Sequence, residues 1–225
     1  AYREFVGDNV LSIDLINIAP LDDLHSPKGA IMEAQQLAAE AFGADHTFFS
    51  IQGTSGAIMT MIMSVVGQGD KILVPRNVHK SIMSAIVFSG AIPIFIHPEV
   101  DTELGISHGI TPESVERALE TYPDAKAVLV INPTYFGFVA DLQRIVDIVH
   151  ARNIPVIVDE AHGVLMKFHD DLLLLPGINR NEMKKLGILL MMVFGLGMAF
   201  QSCNNGVTYA EMKEEEREAI LRFIE

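Results

Sequence analysis

Before residue 172, short apolar runs alternate with amphipathic segments of helical periodicity. This alternation predicts strands joined by right-handed helical crossovers, which leave a mostly parallel sheet covered by helices on both faces. We therefore predict an α/β fold, a three-layer sandwich. The predicted strands are residues 47–51, 71–74, 92–96, 127–131 and 155–158, and the predicted helices are 27–42, 53–66, 79–89, 111–121 and 141–152.

Composition excludes several classes of protein. The 225 residues are 49% hydrophobic and 20% charged, which excludes disorder for most of the chain. A formal net charge of −13 argues against a nucleic-acid binder. One cysteine cannot form an internal disulfide framework or a cysteine-rich zinc module. The first residues, AYREFVGDNV, contain no initiator Met and no export segment, so we expect residue 1 not to be a natural start.

Small or polar residues follow four of the predicted strands. In parallel sheets, ligands bind at the carboxyl ends of the strands, so these segments predict the place of a functional site. The four segments are GTSG at 53–56, RNVHK at 76–80, NPTYFG at 132–137 and DEAHG at 159–163.

The first of these segments opens a predicted helix. A glycine-rich turn at a helix N-terminus exposes backbone N–H groups that suit a phosphate, and the hydroxyls of Thr54 and Ser55 add donors. The alternative is a tight turn with an ordinary helix cap. The segment is not a Walker A loop, because Gly-Lys-Ser/Thr is missing.

His79 and Asp159 are the titratable candidates. His79 lies between a strand and a helix, where it could stack on a flat ligand, act as an acid–base group or simply cap the helix. Asp159 ends a buried strand, where a carboxylate is costly unless a protonated pyridine nitrogen, a metal or a helix cap pairs with it. A helicase interpretation of DEAH requires a P-loop lysine, and none precedes it.

With these motifs in order, the chain resembles fold-type-I (aspartate-aminotransferase-like) pyridoxal-phosphate enzymes, and most closely the large domain of the ornithine/lysine/arginine decarboxylases. The resemblance covers about residues 1–171. It depends on the segments PLDDLHSPKGAIMEAQQLAAEAFGA at 20–44, FFSIQGTSGAIM at 48–59, VPRNVHKSIMSAI at 74–86, NPTYFG at 132–137 and PVIVDEAHG at 155–163.

The resemblance implies roles for individual residues. Thr54, Ser55 and Gly56 correspond to the turn that binds the phosphate of pyridoxal 5′-phosphate. His79 corresponds to the histidine that stacks on the cofactor ring. Asp159 corresponds to the aspartate that keeps the pyridine nitrogen protonated, so that the ring accepts the electrons left by the loss of CO₂.

Other matching positions are implied to line the same site. Ala161 corresponds to the small residue under the ring, and His162 to a neighbouring site residue. Thr134 falls where a third loop of the family approaches the site, and His25 lies in the family motif DDLHSP.

The resemblance ends after HDDL at 169–172. The family links its cofactor to a lysine in a Ser-x-His-Lys motif a few tens of residues after the aspartate, and this chain contains no such motif. Beyond the break, Lys184 and Lys185 are the only lysines before Lys213. A chain without that lysine is expected to bind the cofactor non-covalently and to turn over negligibly.

The segment from 183 onward is similar to a bacterial lipoprotein signal peptide. Lys184 and Lys185 precede a 15-residue apolar run at 186–200, and small residues precede Cys203, which would be the lipidated residue. The run is shorter than the roughly 20 residues of a spanning helix. A buried core helix followed by a surface helix is the alternative.

We therefore expect a composite chain, in which a decarboxylase fragment runs into the start of a second reading frame. Its predicted segments are an incomplete cofactor-binding domain at 1–171, a junction at 172–182, an apolar segment at 183–203 and an acidic amphipathic helix at 204–225.

The predicted activity is pyridoxal-phosphate-dependent decarboxylation of arginine, lysine or ornithine, by an incomplete or inactive copy. The alternatives are another fold-type-I enzyme, such as an aminotransferase or desulfurase, and a non-catalytic chimera. The expected partners are an amino-acid substrate and a second copy of the chain, with no nucleic acid and no metal. The expected location is the cytoplasm, or the membrane through residues 183–203.

Overall fold

A computed structural model describes residues 2–13, 15, 19–164 and 166–168. In this part of the chain, strands alternate with helices from residue 53 onward. The helices are α1 (Tyr2–Val6), α2 (Asp8–Ile13), α3 (Ala30–Phe42), α4 (Gly53–Val65), α5 (Lys80–Ser89), α6 (Pro112–Thr121) and α7 (Leu142–His150). The strands are β1 (Lys71–Pro75), β2 (Ile92–Ile96), β3 (Val100–Asp101), β4 (Ile106–Ser107), β5 (Ala125–Ile131) and β6 (Val156–Asp159).

The main sheet is parallel and has the strand order β2-β1-β5-β6. The chain leaves β1 through α5 toward one edge and leaves β5 through α7 toward the other edge. This reversal of direction creates a switch point between the carboxyl ends of β1 and β5, where open α/β sheets bind ligands. The prediction of an α/β fold with a mostly parallel sheet is confirmed.

Each face of the sheet has its own apolar cluster, because side chains alternate along a strand. On one face, α4 and α5 pack against Ile72 and Val74 of β1, Leu129 of β5 and Ile157 of β6. On the other face, α6 and α7 pack against the intervening residues, which include Leu73, Val128, Val130, Val156 and Val158. These two helix layers and the sheet form the predicted three-layer sandwich.

Local sequence determines where several helices begin and end. Thr111 caps α6 in a reciprocal capping box with Ser114, and Pro112 occupies the first turn, where its missing N–H is not needed. Asp141 caps α7 by accepting from the N–H of Arg144. Gly90 ends α5 in the left-handed conformation, as predicted.

The predicted strand at 47–51 is wrong. Residues 47–50 have no regular secondary structure, and Ile51 begins a turn, although the sequence is as apolar as that of the true strands. A strand needs a hydrogen-bonded neighbour, and no strand of the described part of the chain pairs with this segment. Phe48 and Ile51 are consequently exposed.

Other boundaries move by a few residues. Helix α3 begins at Ala30 rather than residue 27, β5 begins at Ala125 rather than residue 127, and β6 includes Asp159. The short antiparallel pair of β3 and β4 was not predicted. Pro93 lies in edge strand β2, as its missing N–H favours.

The segments predicted for residues 172–225 lie outside the described residues. These are the junction, the apolar signal-like run and the amphipathic helix, and their boundaries stay predictions. Among the residues that the structure describes, no helix has the length and apolarity needed to cross a membrane.

Candidate functional site

The candidate side chains lie at the carboxyl edge of the main sheet. Helix α4 ends at Val65, just before β1 begins at Lys71, and its apolar face packs on the sheet beside β1. Because α4 therefore runs antiparallel to β1, its N-terminus lies at the carboxyl edge. Helix α5 begins at this edge directly after β1, and Asp159 ends β6 there.

The turn at 53–56 forms the first turn of α4. Its cap residue, Gln52, makes no side-chain hydrogen bond to the helix, so the first N–H groups of α4 have no side-chain cap. A β-carbon at Gly56 would lie 2.5 Å from Cβ of Gln52, so this close approach requires glycine. Thr54 is partly buried and Ser55 is exposed, which leaves their hydroxyls near uncapped amides.

His79 is the N-cap of α5. Its Nδ1 accepts a hydrogen bond from the backbone N–H of Ser81 at 3.2 Å and lies 2.8 Å from the Ser81 hydroxyl. The helix-capping role left open by the sequence is therefore observed. The side chain is exposed, so capping leaves the ring accessible to a ligand.

Asp159 is buried, with 7% of its surface exposed. Its Oδ1 accepts a hydrogen bond from the N–H of Ala161 at 3.2 Å. Since Ile157 belongs to the cluster under α4, the alternation of the strand places Asp159 on the same face as α4. None of the ion pairs observed among the described residues involves Asp159.

The loops that follow β5 and β6 lie against each other. The N–H of Asn132 donates to the carbonyl of Asp159 at 3.0 Å. A β-carbon at Gly163 would lie 2.8 Å from Cδ of Pro133, and the ring of Tyr135 contacts that of His162 edge to face at 6.0 Å. These contacts bring the NPTYFG and DEAHG segments together at the carboxyl ends of β5 and β6.

Within these loops, Ala161, His162 and Tyr135 are exposed. Thr134 instead is buried and closes its own loop, because its Oγ1 accepts from the N–H of Phe138 and its N–H donates to the Phe138 carbonyl. The proximity of Thr134 to a ligand thus stays a prediction.

Sequence reasoning missed Asp22, which organises the DDLHSP segment. Its carboxylate accepts from the backbone N–H groups of Lys28, Asp23, Gly29 and Ile31, at 2.9 to 3.0 Å. The Lys28 amide contributes most, and the four amides together hold the pKa of Asp22 well below its usual range, against the raising effect of partial burial. The signal in the sequence was an aspartate shortly before a helix without a cap of its own.

The neighbouring His25 is exposed, and its backbone N–H donates to Asp23. Among the residues that the structure describes, none makes a contact with the His25 ring that would explain a role at the site. No group of three or more metal-ligating side chains comes together in the described part of the chain.

The residues at this edge fit pyridoxal phosphate. The uncapped amides of α4 suit a phosphate, and the buried Asp159 carboxylate suits a cationic ring nitrogen. The accessible ring of His79 suits a flat aromatic ligand.

Comparison with known proteins agrees with the family resemblance found in the sequence. The sequence profile described as "Orn/Lys/Arg decarboxylase, major domain" matches residues 1–187. A protein named arginine decarboxylase from Halalkalibacterium halodurans is 74% identical over 172 residues, which cover 76% of this chain and 35% of that protein. A second one, from Bacillus subtilis, is 73% identical over 171 residues, with the same coverages of 76% and 35%.

A solved structure, lysine decarboxylase A from Pseudomonas aeruginosa, has a TM-score of 0.63 and 34% sequence identity. The match covers 75% of this chain and 24% of that one. Since both arginine decarboxylases are matched over 35% of their length, the chain spans about a third of those curated relatives.

Proposed function

The chain belongs to the Orn/Lys/Arg decarboxylase family, and on that premise we propose that it carries the cofactor-binding part of a pyridoxal-phosphate-dependent enzyme that decarboxylates a basic amino acid. Arginine is the first substrate to test, because the relatives at 74% and 73% identity are named arginine decarboxylase. The observation that carries the proposal is the buried carboxylate of Asp159, on the face of the sheet that α4 covers.

Three groups of this chain would hold the cofactor. Thr54, Ser55 and Gly56 would bind the phosphate through the uncapped amides of α4 and two hydroxyls. His79 would stack on the ring. Bound pyridoxal phosphate supplies an electron-withdrawing ring, which lowers the barrier to loss of CO₂ from an amino acid.

Asp159 would hold a proton on the ring nitrogen of the ligand. Burial keeps water away from the carboxylate, so its charge-assisted hydrogen bond to a cationic nitrogen is stronger than a solvated one. The Ala161 amide fixes Oδ1. Ala161 would lie under the ring, where a larger side chain would collide, and His162 would line the same side of the site.

We further propose that this chain by itself makes no covalent link to the cofactor. It contains no Ser-x-His-Lys motif, and Lys184 and Lys185 lie outside the described residues. The missing Ser-x-His-Lys motif favours a second candidate function, that of a non-catalytic protein that binds the cofactor. An aminotransferase-like activity is disfavoured, because the matching family and the relatives at 74% and 73% identity are named decarboxylases.

A spectroscopic titration separates these candidates. Pyridoxal phosphate added to the purified chain should shift its absorbance on binding. Borohydride treatment followed by dialysis should leave no bound cofactor, because no lysine is linked. Release of labelled CO₂ from arginine, lysine and ornithine should be at background. Clear release would overturn the proposal of an inactive copy. Absence of pyridoxal phosphate binding would overturn the proposed cofactor site.

We also propose that the chain assembles as a homodimer or larger oligomer, as its family resemblance implies. Light scattering measures this directly. Contact with a membrane through residues 186–200 is the alternative association, and vesicle flotation of the full chain tests it.

A further inference from the structure

We propose that Ser81 is a positioning residue that fixes the ring of His79 in the tautomer protonated at Nε2. This inference deepens the proposed function and rests on it, since the orientation of the His79 ring affects ligand binding only if the ring contacts the cofactor. Ser81 was not among the predicted site residues.

The cap of α5 depends on one nitrogen of the His79 ring. The backbone N–H of Ser81 lies 3.2 Å from Nδ1 of His79 in hydrogen-bonding geometry. A backbone N–H can only donate, so this contact favours the form of the ring in which Nδ1 carries no proton and accepts. A neutral imidazole then has its hydrogen on Nε2.

The hydroxyl of Ser81 strengthens this choice. Ser81 is buried, with 7% of its surface exposed, and its Oγ lies 2.8 Å from Nδ1 of His79. A hydroxyl proton aimed at Nδ1 gives that nitrogen a second donor at a shorter distance. Two donors on one nitrogen hold one edge of the ring, so they fix its orientation as well as its tautomer.

The consequence for the site is specific. Because Ser81 holds Nδ1, Nε2–H lies on the opposite edge of this exposed side chain, where it can donate to a ligand. His79 can donate from Nε2, but a proton at Nδ1 would break the contact from the Ser81 amide that caps α5 and would require the Ser81 hydroxyl to accept instead of donate.

The tautomer can be measured on the full chain without cofactor. Nitrogen-15 NMR of histidine-labelled protein distinguishes a protonated from an unprotonated ring nitrogen, and the spectrum of His79→Asn assigns the signals of residue 79. We expect an unprotonated Nδ1 and a protonated Nε2. A protonated Nδ1 in the unmodified chain would overturn the proposal, whatever the variants do.

Two substitutions and a control test the hydroxyl itself. Ser81→Ala should populate the other tautomer measurably and weaken pyridoxal phosphate binding about three- to tenfold, the range expected for one neutral hydrogen bond. Ser81→Thr keeps the hydroxyl and should restore both properties. Ser84→Ala, which removes a hydroxyl on the same helix that contacts only the Lys80 carbonyl, should change neither.

The outcomes separate this inference from the proposed function. A chain that fails to bind pyridoxal phosphate contradicts the proposed function, while the tautomer measurement still decides the role of Ser81. Unchanged tautomer and affinity in Ser81→Ala would overturn the positioning role. A loss of affinity in Ser81→Ala that Ser81→Thr fails to restore would also count against the hydroxyl.

Discussion

Gly163 lies so close to Pro133 that a β-carbon on the glycine would be 2.8 Å from Cδ of the proline. The same β-carbon would be 3.0 Å from the carbonyl oxygen of Asn132. Both neighbours belong to the loop after β5, so this contact sets the separation between the two loops that border the candidate site. A side chain at Gly163 must move one loop away from the other.

Substitution of Gly163 by alanine should therefore lower the stability of the fold. We expect a loss of about 1–3 kcal/mol in the free energy of unfolding, because the backbone has to shift to admit the methyl group. Urea denaturation measures this loss. In the control Gly109→Ala, the new β-carbon would meet only Cβ of Ala140 at 3.8 Å, an ordinary contact. Equal stability of the two variants would contradict the close approach.

Substitutions of His79 should separate capping from stacking. His79→Ala removes the cap of α5 and should cost about 1 kcal/mol of stability. His79→Asn keeps a capping acceptor and should retain most of this stability. Both variants lack the ring, so both should bind pyridoxal phosphate more weakly in an absorbance titration. If His79→Asn bound the cofactor as tightly as the unmodified chain, the proposed stacking would be wrong.

Asp159→Asn tests the pairing with a ring nitrogen. The substitution keeps an oxygen to accept from the Ala161 amide, so the fold should tolerate it, but the negative charge is lost. We expect affinity for pyridoxal phosphate to fall about tenfold or more, since hydrogen bonds to charged groups are the stronger kind. Asp147→Asn, at an exposed position of α7, is the matched control. Similar dissociation constants for the two variants would refute the pairing.

Asp22 should make stability depend on pH in acid. The pKa of Asp22 is lowered in the folded state. Its contribution to the free energy of unfolding is therefore complete above the unfolded-state pKa of about 4, and it disappears as the pH falls toward the folded-state pKa. Asp22→Asn should be less stable at pH 7, and its deficit should shrink below about pH 4. Denaturation curves at several pH values measure this. Asp45→Asn, at an exposed position of the same region, is the control, and an equal deficit in that variant would contradict a specific role of the Asp22 contacts.

Much of the fold could be predicted because its determinants are local. Thr111 followed by Pro112 predicts a helix start, and Gly90 predicts a helix end, from interactions within a few residues. Asp159 could be placed at a strand tip because an apolar run ends there. Its burial follows from the run being covered on both faces.

What could not be predicted depends on contacts between distant residues. The segment 47–51 has the composition of a strand, but pairing requires a neighbour that composition does not reveal. Asp22 accepts from amides up to nine residues away, because the chain turns back on itself between them. The backbone of Asp22 itself lies in the left-handed region, and no local pattern around this residue predicted that conformation.

The candidate site residues fall between these cases. Their position at one edge follows from the parallel sheet, whereas the contact of Gly163 with Pro133 depends on how two loops meet. Capping by His79 was one of the alternatives predicted from its place before a helix, but the approach of the Ser81 hydroxyl was not predicted.

The separate apolar clusters on the two faces of the sheet offer a practical route for protein engineering. All the candidate ligand contacts that begin α4 and α5 lie on one side, while Val115, Leu119 and Val149 pack on the other. Distant sites with no shared contacts usually change stability additively. The layer of α6 and α7 can therefore be redesigned for heat tolerance or solubility without changing the first turns of α4 and α5, where we propose that pyridoxal phosphate binds.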